Sequence, residues 1–477
     1  MKRNIMLFKK IVWTIILPVS LLSFQACNEL DIKPTDGIDP DKAFRNLEDI
    51  DMGIKGAYAA IDYSLIENNV TVSDEAIMPA ENVVSNTNAY RWLYTASSSS
   101  VTSAFREYYI VIDRANRVLT GLEKLTNVDE TKKRHYRGEL LAIRAYAHLE
   151  LLRAFSGGYE PANLAIPYML ESKISYPARN TVQEVVNFVK TDLNEALSLI
   201  GDEASVSRIS KPAVYAILAR TALYSKDWPL AISASTSAIN AKPLASQQNF
   251  ARIWTDQSED EVIWSLKKSE ASDSRIGSFL FREDGGIALF APSSKLLNLF
   301  DKDNDIRYSS YITYDPDRGS GKSPYLIKKY VGRSSDAPGL TNIKLFRTGE
   351  MYLIRAEAYA ETPNQLLGTT DLNQLRKSRI TGYTDQTFAD KEALIREIYT
   401  ERYKELAYEG HRFFDLKRRN LPVQRSAQDA VNTSGALTLE SGKAQYNFPI
   451  PATEMSVNKK YGSKSELFKL AAQLNIT

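Results

Sequence analysis

The sequence predicts a mostly α-helical protein, in which a scaffold of paired helices supports an irregular, loop-rich lobe with a few short strands. Apolar residues recur at helical spacing in many stretches, and one stretch follows a helix-pair repeat. Two long tracts, residues 63–104 and 244–342, are instead rich in Ser, Asn, Asp, Gly and Tyr. Structureless loops of that length are usually either functional or misassigned, and we interpret these tracts as an irregular lobe built on the scaffold.

The first 26 residues have the three parts of a secretion signal. Four basic residues precede a mostly apolar run from Ile11 to Phe24, and Ala26 stands directly before Cys27. The run is too short for a comfortable membrane span, which takes about 20 residues. The lone Cys27 resembles the lipobox of bacterial lipoproteins, in which this thiol is acylated, although the lipobox prefers Leu where Phe24 stands. The alternative is a buried free thiol.

Composition argues against several classes of protein. The leader holds four of the 60 basic residues and none of the 58 acidic ones, so the mature chain carries a net charge of about −2. No basic stripe indicates a nucleic-acid partner. With Cys27 as the only cysteine, the mature chain forms no internal disulfide. His135, His148 and His411 have no metal-like spacing, and we expect no metal or cofactor.

The helical stretches follow a period of 3.6 residues. They are Phe105–Leu125, Arg137–Phe155, Val182–Ile200, Pro212–Ser225, Pro229–Asn240, Ile343–Glu361, Thr370–Arg379 and Lys391–Glu409. Residues 212–243 place Ala219, Ala231, Ala238 and Pro243 at the small-residue and proline positions of the 34-residue tetratricopeptide pattern. One such pair cannot bury its own face, so neighbouring pairs should stack on it. The pieces "EVIWSLKK" and "SPYLIKKY" predict short strands.

Two motifs fail on inspection. "GSGKS" at 319–323 has Pro316 where a phosphate-binding loop needs Gly, and Pro324 where a helix should begin. "DKDNDIR" has the alternating acids of a calcium loop, but Ile306 and Ile312 stand where the essential Gly and Glu belong, so it predicts an ordinary turn. The many acidic residues leave a carboxylate pair for glycoside hydrolysis open, although nothing singles one out.

Six charged residues of the stretch "EIYTERYKELAYEGHRFFDLKRRN" lie among apolar residues of a predicted helix and its end. They are Glu401, Arg402, Glu405, Glu409, Arg412 and Asp415. An ion-pair network that fixes the helix end is favoured over a catalytic role, with Arg412 and Asp415 expected to pair directly because they are three residues apart.

Several pieces together carry a resemblance along almost the whole chain. In order they are "CNELDIKP", "GELLAIRAYAHLELLRAFSGGYEPANLAIPY", "SKPAVYAILARTALYSKDWPLAI", "LFRTGEMYLIRAEAYAE", "LNQLRKSR", "ERYKELAYEGHRFFDLKR" and "FPIPATEM". In this order they resemble the SusD/RagB family, outer-membrane lipoproteins of Bacteroidetes that take part in nutrient uptake.

The resemblance implies a SusD-like α-α superhelix and a cell-surface protein that is not an enzyme. It implies capture of oligosaccharides, and delivery to a SusC-like TonB-dependent transporter, from the extracellular side of the outer membrane. It also implies a division into a signal peptide at 1–26, an N-terminal region at 27–225 and a C-terminal region at 226–477. Residues 63–104 would form the ligand loop, and residues 343–420 the closing repeat helices.

An oligosaccharide site needs exposed aromatic rings beside amides, carboxylates or arginines. Trp228, Trp254 and Trp264 are expected in the core, whereas Trp92 lies among Asn, Ser and Thr. In an extended segment Tyr90, Trp92 and Tyr94 would share one face. Family members often carry ligand contacts in this stretch, near an "SDE"-like motif. The candidates are Asp74, Glu81, Asn82, Tyr90, Arg91, Trp92 and Tyr94, and the alternative is that the aromatic residues only pack the lobe.

A second aromatic patch is expected to form the opposite rim. Its members are Tyr308, Tyr311, Tyr314 and Tyr325. Three other functions stay open at this point: a peptide or other nutrient receptor of the RagB type, a surface-tethered carbohydrate hydrolase, and a structural protein that uses its repeats to bind other proteins.

Overall fold

The computed structural model describes residues 43–83, 87–203, 205–269, 275–280, 286–333 and 338–461. The leader and Cys27 lie outside these ranges. Helices make up most of the regular structure, so the predicted mostly α-helical fold is confirmed. Among the described residues, no helix is both long and apolar enough to cross a membrane.

The helices of the first half form the greater part of the scaffold. They are α1 (Leu47–Ala59), α2 (Ser64–Val72), α3 (Thr87–Tyr90), α4 (Ser99–Lys124), α5 (Glu130–Phe155), α6 (Val182–Leu199), α7 (Lys211–Tyr224) and α8 (Trp228–Ala241). The tract 63–104 therefore contains α2, α3 and the start of α4. The expectation of a long irregular loop there is wrong, because short helices interrupt the polar sequence.

The first helices of the second half are short, and longer helices return from Thr348 onward. They are α9 (Gln247–Ile253), α10 (Ile276–Leu280), α11 (Ser294–Leu297), α12 (Ile306–Tyr311), α13 (Thr348–Glu361), α14 (Gln365–Lys377), α15 (Lys391–Glu405), α16 (Arg412–Arg418) and α17 (Ala452–Val457).

The strands pair two by two in small antiparallel ribbons. They are β1 (Ala76–Ile77) with β3 (Ala291–Pro292), β2 (Val262–Leu266) with β6 (Ile343–Arg347), β4 (Ile312–Tyr314) with β5 (Tyr325–Ile327), and β7 (Val423–Gln424) with β8 (Thr438–Leu439). The predicted helix over Ile343–Glu361 is wrong in its first five residues. These residues form β6 because they pair with β2, and α13 begins only at Thr348.

The predicted tetratricopeptide-like pair corresponds to α7 and α8, which pack against each other. Lys226 adopts a left-handed backbone conformation in the turn between them, with φ of 55°. The carboxylate of Asp227 then accepts a hydrogen bond from the Leu230 amide and caps α8. The N-terminus of α6 is also capped by side chains, because Thr181 and Glu184 form a capping box there.

The core joins the helices to the β2–β6 ribbon. Trp264 of β2 is fully buried and stacks on Phe346 of β6, with ring planes 11° apart. Tyr146 of α5 meets Trp264 edge-on at 4.8 Å between ring centroids. Trp254 is also buried, as predicted, whereas Trp228 is only half-buried against the core.

A buried ion-pair network joins the lobe to the last repeat helices. Glu405 of α15 accepts hydrogen bonds from Arg307, Arg347 and Arg379 at 3.1, 3.0 and 3.0 Å. Glu261 contacts Arg347 and Arg379 at 2.6 and 2.7 Å. Burial acts to raise the pKa of Glu405, but the three guanidinium groups hold it well below its usual range. The predicted network around this helix end is confirmed.

The direct pair predicted between Arg412 and Asp415 is wrong. Arg412 instead contacts Asp74 at 2.7 Å, and Asp415 contacts Arg402 of α15 at 2.9 Å. Both residues belong to α16, so their three-residue spacing allows a pair, but buried charges elsewhere in the chain provide closer partners. The network also needs close packing at Gly349, where a Cβ would lie 2.5 Å from the Glu405 carboxylate.

We expect Glu405→Gln to destabilise the protein by about 3–5 kcal/mol, because it leaves three buried guanidinium groups short of one negative charge. Urea unfolding followed by circular dichroism measures the change. The matched control is Glu397→Gln on the same helix, since this side chain is 42% exposed and its ion pair among the described residues is with Arg376. Equal destabilisation by the two variants would contradict the role given to Glu405.

Candidate functional site

The acidic candidate Asp74 is a structural residue. It is buried at the start of the β1 segment, where its carboxylate contacts Arg412 at 2.7 Å and Lys295 at 2.6 Å. Burial acts to raise its pKa, but these two cations lower the pKa of Asp74 to about 2. The carboxylate is therefore ionised, and both of its oxygens accept hydrogen bonds from these cations. It joins the N-terminal region to α16 and α11.

The aromatic candidates Tyr90, Trp92 and Tyr94 are all buried, so the expectation of an exposed platform is wrong. The segment is not extended, because residues 87–90 form α3 and Trp92 has a φ of 56°. The indole nitrogen of Trp92 donates to the Val72 carbonyl at 2.9 Å. The guanidinium of Arg425 lies 3.8 Å from the Tyr90 ring and 4.2 Å from the Trp92 ring. The hydroxyl of Tyr94 donates to the Gln445 carbonyl.

The polar candidates Glu81, Asn82 and Arg91 also bind within the protein. Glu81 pairs with Arg318 through two hydrogen bonds of 2.7 and 2.9 Å. The amide of Asn82 donates to the Leu289 carbonyl at 2.8 Å, and Arg91 donates to the Asn432 carbonyl at 2.7 Å. In this conformation the stretch from Asp74 to Tyr94 holds distant segments together.

Three members of the second patch do come together at the surface. Tyr314 and Tyr325 face each other across the β4–β5 pair, with ring centroids 4.9 Å apart. The ammonium of Lys302 lies 5.7 Å from the centroids of both Tyr308 and Tyr325. Tyr314 is 55% exposed, and the other two rings are half-buried. We call Tyr308, Tyr314 and Tyr325 the tyrosine face.

Tyr311 does not belong to the tyrosine face. It is fully buried, its hydroxyl donates to the Glu405 carbonyl at 3.0 Å, and the ammonium of Lys329 lies 3.8 Å from its ring. The expectation that all four tyrosines line a rim is therefore wrong for this one. Tyr311 ends α12 and points into the ion-pair network, whereas Tyr308 precedes it by one helical turn.

The β4–β5 connection is held in one shape by the ion pair between Glu81 and Arg318. Arg318 also donates to the Ser323 carbonyl at 2.6 Å, and the Ser323 amide donates to Glu81 at 3.1 Å. The Asp315 amide donates to the Pro324 carbonyl at 2.7 Å, which closes the loop at its base. Fixed rings lose little conformational freedom on binding, so this loop preorganises the tyrosine face.

The segment of the rejected calcium-like motif forms a turn at its start. Asp301 accepts hydrogen bonds from the amides of Asp303 and Asn304, which makes the predicted turn. Asp305 pairs with Arg307 and Lys404 at 2.8 Å each. Within the described ranges, no group of His, Cys, Asp and Glu side chains is arranged to hold a metal ion.

Open cavities also lie in the helical scaffold, where the sequence predicted no site, and two of them are similar in volume. One, of about 630 Å³, lies between the start of α5 and the segment before α7, and its lining includes His135. The other, of about 620 Å³, lies at the ends of α5, α7 and α16, and its lining includes Lys417. The basic run "KRRN" at 417–420 lines the second cavity and is the signal in the sequence that could have indicated it.

The fold and the tyrosine face define a helical-repeat scaffold that carries an aromatic surface on inserted loops. The chain is a SusD-like protein, similar to the SusD family in both of its halves. A family model described as "SusD family" matches residues 308–464, and another, described as "Starch-binding associating with outer membrane", matches residues 30–223.

Known relatives share the family over most of the chain. The SusD-like protein P38 of Formosa agariphila is 23% identical over an alignment that covers 87% of this chain and 93% of the relative. A SusD superfamily crystal structure from Bacteroides thetaiotaomicron has a TM-score of 0.78 at 22% identity and covers 87% of this chain and 99% of its own. A SusD-like carbohydrate binding protein from Bacteroides vulgatus has a TM-score of 0.76 at 22% identity, covering 88% and 98%. At these identities the solved structures establish the shared fold.

We expect Trp92→Ala to lower the stability of the protein by about 3–5 kcal/mol, since it removes a buried indole and its contact with Arg425. Thermal unfolding monitored by circular dichroism measures the loss. The control is Leu93→Ala, because the adjacent Leu93 is 61% exposed and its truncation should be nearly neutral. An unchanged melting temperature in Trp92→Ala would show that the ring does not pack as described.

Proposed function

We propose that this protein is a cell-surface lipoprotein of the outer membrane that binds an oligosaccharide and delivers it to a SusC-like TonB-dependent transporter. The likeness to the SusD family supports this role, since one matching family model is described as starch-binding and associating with the outer membrane. The similar Bacteroides vulgatus structure is also of a carbohydrate binding protein. The proposed role is binding without catalysis, so the oligosaccharide should be recovered unaltered.

The tyrosine face supports the choice of ligand surface, because its rings are partly exposed and lie close together. The apolar face of a pyranose ring stacks well on an aromatic ring, and its hydroxyl groups need polar partners at the edge. Tyr314 and Tyr325 provide adjacent rings, while Lys302 and the phenol groups provide hydrogen-bond donors. By contrast, the rings near Trp92 are buried and already in contact with Arg425.

We propose that Cys27 carries the anchor. The leader at 1–26 would be removed, and acylation of Cys27 would attach the 27–225 and 226–477 regions to the membrane. Several acyl chains on one residue hold a protein at a membrane far more firmly than a single chain does. The acidic segment after Cys27 would then place the helical scaffold outside the lipid.

Truncation of the tyrosine face should remove ligand retention and leave the fold intact. We expect Tyr314→Ala combined with Tyr325→Ala to weaken retention of a glycan-array hit by at least about tenfold, because both stacking rings are lost. Affinity electrophoresis or titration calorimetry with the purified mature protein measures this.

The matched control is Tyr176→Ala, a tyrosine of similar exposure, 53%, in the segment that precedes α6. Undiminished retention in the double variant, with a normal melting temperature, would contradict the tyrosine face as the ligand surface. Retention of peptides instead of glycans by the native protein would favour a receptor of the RagB type.

Replacement of Cys27 should release the protein from the membrane. We expect Cys27→Ala to move it from the outer-membrane fraction to the soluble fraction and to abolish incorporation of labelled palmitate. Fractionation and mass spectrometry of the mature amino terminus provide the measurement. An unmodified Cys27 in the native membrane-bound protein would contradict the anchor.

A further inference from the structure

The cavity at the ends of α5, α7 and α16, which we call the Lys417 cavity, has the size and lining of a small-molecule site. Its volume of about 620 Å³ lies within the range of about 300–1,000 Å³ for ligand pockets. Its wall includes residues from four separate parts of the scaffold. Among them are Tyr159, Asn163, Lys226, Trp228, Lys417 and Arg419.

Lys417 differs from the other buried lysines of the described ranges in having no carboxylate partner. Lys329 pairs with Glu409 at 2.7 Å, Lys344 with Asp256 at 2.6 Å and Lys404 with Asp305 at 2.8 Å. The ion pairs found among the described residues do not include Lys417. Its ammonium donates to the carbonyls of Ser156 and Arg153, at 2.8 and 3.5 Å.

The other cations in the wall of the cavity are neutralised. Arg418 contacts Glu357 at 2.6 Å, Arg419 contacts Glu361 at 2.7 Å and Lys226 contacts Glu160 at 2.8 Å. The wall therefore carries an excess of positive charge at Lys417. A buried ammonium without a carboxylate partner is unfavourable. That of Lys417 is bound by two carbonyls and lies 4.9 Å from the centroid of the Tyr159 ring, in the wall of a cavity large enough for a counter-ion.

The surroundings of Lys417 also make its pKa sensitive to a bound anion. Burial, together with the positive charge of Arg179, lowers the pKa of Lys417 to about 7. A negative group beside the ammonium would offset both effects and raise this pKa. The half-buried indole of Trp228 and the amide of Asn163 add an apolar surface and a polar partner to the same cavity.

We propose that the Lys417 cavity binds a small oxyanion, either a sulfate group or the carboxylate of an acidic sugar, with Lys417 as its counter-ion. The site is separate from the tyrosine face, because the two share no residue. A result that rejects one of the two sites therefore does not reject the other.

The test titrates the mature protein with sodium sulfate, sodium glucuronate and uncharged glucose at constant ionic strength. We expect one or both anions to bind, glucose not to bind, and Lys417→Met to weaken anion binding by about tenfold or more. The melting temperature of Lys417→Met should be unchanged or higher, because a buried ammonium without a carboxylate partner is removed. Lys173→Met, at an exposed lysine, is the control and should bind as the native protein does.

Two outcomes would overturn the proposal. One is that neither anion binds the native protein, and the other is that Lys417→Met binds anions normally. A lower melting temperature with normal binding would show that Lys417 only caps the end of α5. If Lys417→Met does not fold, the pKa of Lys417 in lysine-labelled native protein provides the test by nuclear magnetic resonance. Addition of the anion should raise this pKa, and an unchanged value would reject the site.

Discussion

The structure depends on the buried carboxylate of Glu405, which is shared by three arginines from separate parts of the chain. Arg307 opens α12, Arg347 ends β6 and Arg379 follows α14. Because an unpaired buried charge is strongly unfavourable, each guanidinium is fixed where this carboxylate can reach it. The lobe that carries the tyrosine face is thereby attached firmly to the repeat helices. A rigid attachment allows aromatic rings on loops to keep one arrangement before any ligand arrives.

The sequence predicts the helices but not the structure of the candidate ligand loop, because the buried charges of that loop pair with residues far away in the chain. The pair α7–α8 follows from local spacing, a turn at Lys226 and a cap at Asp227, all readable within about 34 residues. The roles of Asp74 and Trp92 depend on Arg412 and Arg425, which are more than 300 positions away in the chain. A single sequence shows aromatic and acidic residues among polar ones, but it does not show their distant partners. Tyr311 and Tyr308 illustrate the limit, since one helical turn separates a core ring from a surface ring.

The likeness to the SusD family and this chain's own side chains answer different questions. The SusD family accounts for the helical scaffold and for association with the outer membrane, as the matching models describe. The relatives are only about a fifth to a quarter identical to this chain, so the ligand has to be argued from this chain's own surfaces. In this chain the tyrosine face offers apolar stacking, whereas the Lys417 cavity offers a positive charge. The two surfaces therefore favour different chemical groups.

Buried charges fix the Trp92 region in the interior, and we propose the tyrosine face as the aromatic surface that is open to a ligand. Hydrogen exchange measured by mass spectrometry, with and without a retained oligosaccharide, distinguishes the two regions. We expect slower exchange on ligand binding in residues 308–327 and unchanged exchange in residues 87–95. Protection confined to residues 87–95, with residues 308–327 unaffected, would contradict this proposal.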